Sequence, residues 1–162
     1  MSSFLTHLRK MYAFAVRTAN SLQSVFLLFV RVYWGWQLAQ NGWGKLHNLG
    51  RVAQFFSILG LPMPGFTATF VASVEFVGGI MLAIGLLSRL FGLVITIDML
   101  MAYITADREA LLSFISDPGK FYVADPYTFL LAALLILIFG PGKIAVDTWL
   151  LRRYPYPVSS NP

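Results

Sequence analysis

Four apolar stretches, each bounded by glycine, proline or charge, constrain this chain more than any other feature. The first runs from about Ser21 to Gln40 and the second from about Phe66 to Leu87, each near the 20 residues that cross roughly 30 Å of hydrocarbon as a helix. The third, from about Leu90 to Ala106, follows across only Ser88 and Arg89, so it must form a tight antiparallel hairpin with the second. The fourth starts at Asp125-Pro126, read as an N-cap with proline at the first helical position, and stops at Gly140-Pro141-Gly142. That span is only about 14 residues, roughly 21 Å. Its helix either starts earlier, near Phe121, or continues past a proline kink into Ile144 to Leu151.

Composition argues in the same direction. Of 162 residues 57% are apolar and 12% charged, where soluble domains carry about 25% charge, and the mean hydropathy is +0.69. A soluble fold this small buries only roughly 60 to 70% of its unfolded surface, so lipid must cover the remaining apolar side chains. The expected fold is all-α, an integral membrane four-helix bundle with short interfacial helices. The bundle occupies residues 21–151, after an amphipathic N-terminus (1–20) and before a tail (152–162). The length falls short of the paired halves of most secondary transporters and argues against a self-contained carrier.

Charge sets the orientation and excludes some chemistry. The net charge is +5, but the lysines and arginines are scattered among apolar segments, so nucleic acid is not an expected partner. Absence of cysteine excludes disulfides, thiolate metal sites, iron–sulfur ligation and covalent c-type haem. Four spans put both termini on one side, with Arg9, Lys10, Arg17, Arg89, Lys143, Arg152 and Arg153 against Lys45, Arg51, Arg108 and Lys120 opposite. Basic flanks favour the cytoplasm, so both termini are expected there. Phe4, Leu8, Met11 and Ala15 repeat at helical spacing beside His7, Arg9, Lys10 and Arg17, the pattern of a helix lying on anionic lipid. The apolar run between Lys10 and Arg17 is too short for a secretory signal. Arg51 to Leu59 and Leu111 to Ile115 are expected either as lipid-facing loops or as short surface helices.

Arg31, Glu75 and Asp98 lie inside the first three spans, where a charge costs about 2.5 to 3.5 kcal/mol on insertion scales. At 100° per residue, Arg31, Trp34, Leu38, Asn41 and Lys45 fall within about an 80° arc of the first span. The same projection gathers Ala68, Ala72, Glu75, Gly78, Gly79 and Leu82 on the second, a stripe of small residues that permits close helix approach. Arg31 and Glu75 sit at similar depth when counted from their span ends, so an Arg31 to Glu75 ion pair is expected, with Asp98 completing a triad. Such a pair serves either helix register or a ligand or proton relay through Glu75 and Asp98.

His7 and His47 fall on opposite sides of the bilayer and cannot share a haem or metal, so no metal site and no cofactor bound by this chain alone are expected. There is no P-loop, glycine-rich nucleotide loop or nucleophile elbow. Any redox role must therefore use a partner's centre or a diffusible lipid such as a quinone. Tyr33, Trp34, Trp36 and Trp43 cluster beside Gln37, Gln40, Asn41 and Lys45. They form either a pocket suited to a quinone or another small aromatic or an interfacial aromatic belt.

Read in order, Gly42-Trp43-Gly44-Lys45-Leu46, Gly60-Leu61-Pro62, Val74-Glu75-Phe76-Val77-Gly78-Gly79, Gly85-Leu86-Leu87-Ser88-Arg89 and Gly140-Pro141-Gly142-Lys143 resemble the DoxX family. The likeness spans about Leu27 to Asp147. It implies a bacterial inner-membrane four-helix bundle, similar to the membrane subunit of thiosulfate:quinone oxidoreductase or to components of responses to quinones, catechols and thiol stress. Glu75 and Lys45 carry over on the motifs, with Arg31 and Arg89 beside them. The expectation is thus a membrane subunit that binds a quinone through Arg31, Trp34, Gln37, Asn41, Lys45 and Glu75. A protein partner would carry the redox centre, and self-association is an option. The rivals are a scaffold or anchor without its own ligand and a small oligomeric permease.

Overall fold

The computed structural model describes residues 2–154, with side chains from residue 5 onward. Phe4, in the N-terminal repeat, and residues 155–162 of the tail lie outside the described side chains. Eight helices and, among the described residues, no strands make up the fold: α1 (Ser2–Leu46), α2 (Leu49–Ile58), α3 (Pro64–Ile84), α4 (Ser88–Thr105), α5 (Arg108–Leu112), α6 (Pro118–Val123), α7 (Pro126–Phe139) and α8 (Val146–Arg153). Three of them, α1, α3 and α4, are long and apolar enough to cross a membrane, and α7 adds a shorter apolar helix. The chain is a multi-pass membrane protein whose bundle is built from these four. Phe26, Phe29, Phe70, Val77, Ile80, Leu93 and Ile97 stand exposed round its perimeter, where lipid covers them.

The helix ends follow local chemistry. Proline opens α3, α6 and α7 at their first positions, where its missing N–H is of no consequence. Gly85 closes α3 in the left-handed region (φ 75°), its N–H donating to Leu82 and that of Leu86 to Met81, the Schellman arrangement. The hairpin to α4 is tight, as expected, but its turn is Gly85-Leu86-Leu87 instead of Ser88-Arg89, which already belong to α4. Asp125 precedes α7, but its backbone is already helical and its side chain caps nothing. Neither extension of the fourth span occurs. Extended Ala124 separates α6 from α7, Gly140 (φ 78°) ends α7, and α7 keeps its 14 residues. Both 51–59 and 111–115 contain surface helix, as α2 and the end of α5.

Two boundaries differ from expectation. α1 runs unbroken for 45 residues, about 67 Å, more than twice the hydrocarbon thickness. No turn near residue 20 frees the N-terminal segment to lie separately in the membrane plane. The bundle grips α1 only from about Leu27, the first buried residue; from residue 5 to 23 the helix stands exposed. Likewise α8 extends through Arg152 and Arg153, so the tail does not begin at residue 152 as a distinct segment.

Packing divides into two helix pairs, α1 with α3 and α4 with α7. In the first, Gly35, Ala39 and Gly42 face Ala72, Phe76, Gly79 and Ala83 with backbones almost touching: a Cβ on Gly35 would lie 2.7 Å from the Gly79 carbonyl oxygen and 2.9 Å from the Ala83 nitrogen. Small residues permit this approach, which gathers many weak attractions in a setting where lipid offers no hydrophobic drive. The buried face of α3 is Ala68, Ala72, Glu75, Gly78, Gly79 and Leu82, the stripe read from helical spacing. In the second pair Gly92 lets α4 sit on Ala133 and Leu137, round a core that includes Ile95, Met99, Tyr103, Leu130 and Ile136.

Candidate functional site

α3 and α4 meet at their hairpin end, where Ile95 and Phe91 lie over Gly78. Beyond that contact the side chains of Phe70, Val71, Val74, Ile97 and Met101 line a cavity between the two helices. The cavity measures about 1210 Å³. α2 covers it with Arg51, Phe55 and Phe56, and α7 closes it with Thr128 and Phe129. Phe70, Ile97 and Met101 are also half exposed on the outer surface, so the cavity wall reaches the lipid.

Besides Arg51 and Thr128, three of the long helices supply polar groups. Gln37, Asn41 and Lys45 contribute from α1, Glu75 from α3 and Asp98 from α4. Lys45 Nζ donates to Glu75 Oε1 at 2.5 Å. Lys45 sits in the last turn of α1, where a cation suits the helix dipole, and its side chain leans back toward the helix start, as helical side chains do. That brings the ammonium down to Glu75, which is only 4% exposed. Glu75 Oε2 and Asp98 Oδ2 are shielded and have no hydrogen-bond partner among the described residues, and Asp98 lies within electrostatic range of both Glu75 and Lys45. At the cavity rim, beyond the end of α4, partial burial and then the neighbouring Asp125 hold the Asp107 carboxyl above its ordinary range.

The expected Arg31 to Glu75 pair does not form. Arg31 stands level with Gly85, since a Cβ there would collide with its guanidinium, and Glu75 is ten residues away along α3, about 15 Å. The bundle holds α1 from near Leu27 and not from Ser21, which moves Arg31 toward the hairpin end. There, only 1% exposed, it donates through Nη2 to the carbonyl of Ile144, with Asp147 close enough to act on its charge. Asp147 binds the hairpin itself: Oδ1 accepts from the Leu87 N–H at 2.7 Å and Oδ2 from the Ser88 N–H at 2.8 Å, while its own N–H donates to Gly85. The clamp holds Leu87 at φ 49°, a region costly for a residue with a Cβ. Gly85-Leu86-Leu87-Ser88-Arg89 and Gly140-Pro141-Gly142-Lys143 thus converge: Gly140 lies against Arg89, and Gly142 accepts from Thr148.

Of the residues expected to bind a ligand, the structure brings Gln37, Asn41, Lys45 and Glu75 together and adds Asp98. It separates Arg31, at the opposite end, and Trp34, which packs edge-on against Phe129 at 6.3 Å instead of lining the cavity. Trp36 and Trp43 are more than half exposed, Trp43 lying against Phe76 and His47. The aromatic walls are Phe55, Phe56, Phe70, Tyr122 and Phe129, which sequence reasoning did not single out. It also passed over Asp147, although an acid on the same side as Arg31 was the available signal. Among the described residues, no three His, Cys, Asp or Glu side chains gather as they would round a metal ion.

Residues 26–108 match the DoxX family, which covers α3, α4 and the part of α1 that carries Lys45. The chain is also 26% identical over 133 residues to the protein named "Putative oxidoreductase CatD" from Bacillus subtilis (strain 168), a match covering 82% of this chain and 92% of that protein. No solved structure matches it.

Proposed function

The chain belongs to the DoxX family, and from there we propose that it is the membrane subunit of an oxidoreductase system. It takes a quinone, or a similarly flat small aromatic, into the cavity between α3 and α4 and serves a protein partner that carries the redox centre. The observation behind this reading is the cavity of about 1210 Å³, apolar in its walls and ending on Lys45, Glu75 and Asp98. A small aromatic needs flat apolar walls and a few placed polar groups. Lys45, Gln37 and Asn41 supply donors for a ring oxygen, Phe55, Phe56 and Phe129 flank the ring, and Glu75 and Asp98 carry protons, the common work of intramembrane acids. The gap between α3 and α4 admits the ligand from the bilayer. The oxidoreductase name of the Bacillus subtilis relative supports the reading.

A photoreactive short-chain quinone, applied to the protein in lipid nanodiscs, tests it. Cross-links should map to cavity residues on α2, α3 and α7, and should fall at least fivefold in Lys45→Met or Glu75→Gln proteins that keep wild-type helicity and elution. Labelling confined to Trp36, Trp43 and other lipid-facing positions would overturn it. One observation favours a scaffold instead: the exposed first half of α1 projects beyond the bundle. A captured partner with no ring cross-linking would select that alternative.

We place the protein in a bacterial inner membrane with both termini cytoplasmic, following the basic flanks. Because the chain has no cysteine, single Ser116→Cys and Arg152→Cys proteins report on this directly. In intact spheroplasts a membrane-impermeant maleimide should label the first and spare the second; the reverse pattern inverts the topology.

A further inference from the structure

Resting on that reading, we propose that the cavity selects the reduced, dihydroxy form of its aromatic ligand over the oxidised, dicarbonyl form. The argument is a count of donors and acceptors. Glu75 is 4% exposed; its Oε1 accepts from Lys45, while Oε2 is buried without a partner. Asp98 presents a second unpartnered buried oxygen, Oδ2, from a different helix, and both residues line the same cavity. Buried acceptors left without donors are costly, and satisfying them is worth most when the acceptor is a carboxylate.

A quinone ring brings two carbonyl oxygens and no donor. Its carbonyls can accept from Gln37 and Asn41, but both carboxylate oxygens stay orphaned. The dihydroxy ring brings two O–H groups, each able to donate to a carboxylate oxygen without disturbing the Lys45 to Glu75 pair. No bond is made or broken in this step, and both protons stay on the ligand. Among the described residues no hydrogen bond reaches those two oxygens. The two acids therefore recognise the form of the ligand that carries hydroxyl hydrogens.

The test is equilibrium dialysis under argon of the full chain in nanodiscs, with durohydroquinone and duroquinone as probes and empty nanodiscs as the partition control. The hydroquinone should bind at least tenfold tighter, which places the midpoint potential of the bound two-electron couple about 30 mV above that in empty discs. Asp98→Asn, which puts a donor where an acceptor stood, should cut the preference to less than threefold. The wild-type ratio stands as a test by itself if that variant does not fold. Equal affinities, or tighter binding of the quinone, would overturn the inference while leaving the proposed site standing. Retention of neither probe above empty discs would overturn both.

Discussion

Gly42 and Gly44 lie two residues apart on α1 and invite the same substitution with opposite results. A Cβ on Gly44 meets nothing within 4 Å, whereas one on Gly42 would lie 2.8 Å from both the Ala72 carbonyl oxygen and the Phe76 Cα, backbone atoms that cannot swing aside. Ordinary contact begins near 3.4 Å, so Gly42→Ala forces α1 and α3 apart by more than half an ångström. Both alanines gain up to ~1 kcal/mol of helix propensity. Only Gly42→Ala incurs an overpacking cost, typically about 1 to 3 kcal/mol. Relative to wild type, Gly44→Ala should be neutral to stabilising and Gly42→Ala destabilising, the two differing by about 1 to 3 kcal/mol. Reversible unfolding in mixed detergent micelles, followed by circular dichroism, measures the difference. Because the same separation draws Lys45 away from Glu75, Gly42→Ala should also weaken ligand cross-linking. Equal stabilities of the two proteins would refute the close α1 to α3 approach on which the site depends.

Other substitutions probe the hairpin end and the core. Gly85→Ala sets a Cβ into the Arg31 guanidinium and strains a left-handed backbone; it should destabilise by at least ~2 kcal/mol, the strain alone being about 1 to 2, read in the same unfolding experiment. Asp147→Ala removes both acceptors at the start of α4 and should lower stability by about 1 to 2 kcal/mol, with faster amide exchange at Leu87 and Ser88. Tyr103 is fully buried, donates its hydroxyl to Phe121 at 2.7 Å and stacks on that ring at 4.7 Å. Tyr103→Phe keeps the stacking and should lose about 0.5 to 1.5 kcal/mol, measured by thermal unfolding.

Features governed by neighbours along the chain were legible. Helical spacing identified the buried face of α3 residue for residue, because the period of a helix is a local property. Pro126 and Gly140 marked ends that the structure keeps, because glycine and proline act through their own backbone angles, whereas the second span, read as reaching Leu87, stops at Ile84. The acids of the site were legible too: a carboxyl inside an apolar span is conspicuous wherever it points. Its cation was not. Arg31 and Lys45 lie on the same polar seam, and which of them reaches Glu75 depends on how far α1 slides along α3.

The pattern of oily and small residues was enough to specify a multi-pass helical protein, the face α3 turns inward and the titratable groups it carries at depth. Which charge meets which was decided by assembly. The interlocking of Gly35, Ala39 and Gly42 with Gly79 and Ala72 sets the register of α1 on α3, and with it Lys45 falls to Glu75 and Arg31 to the neighbourhood of Asp147. Contact between backbones remote in sequence fixes that alignment, and such contact has no periodic signature in a single chain.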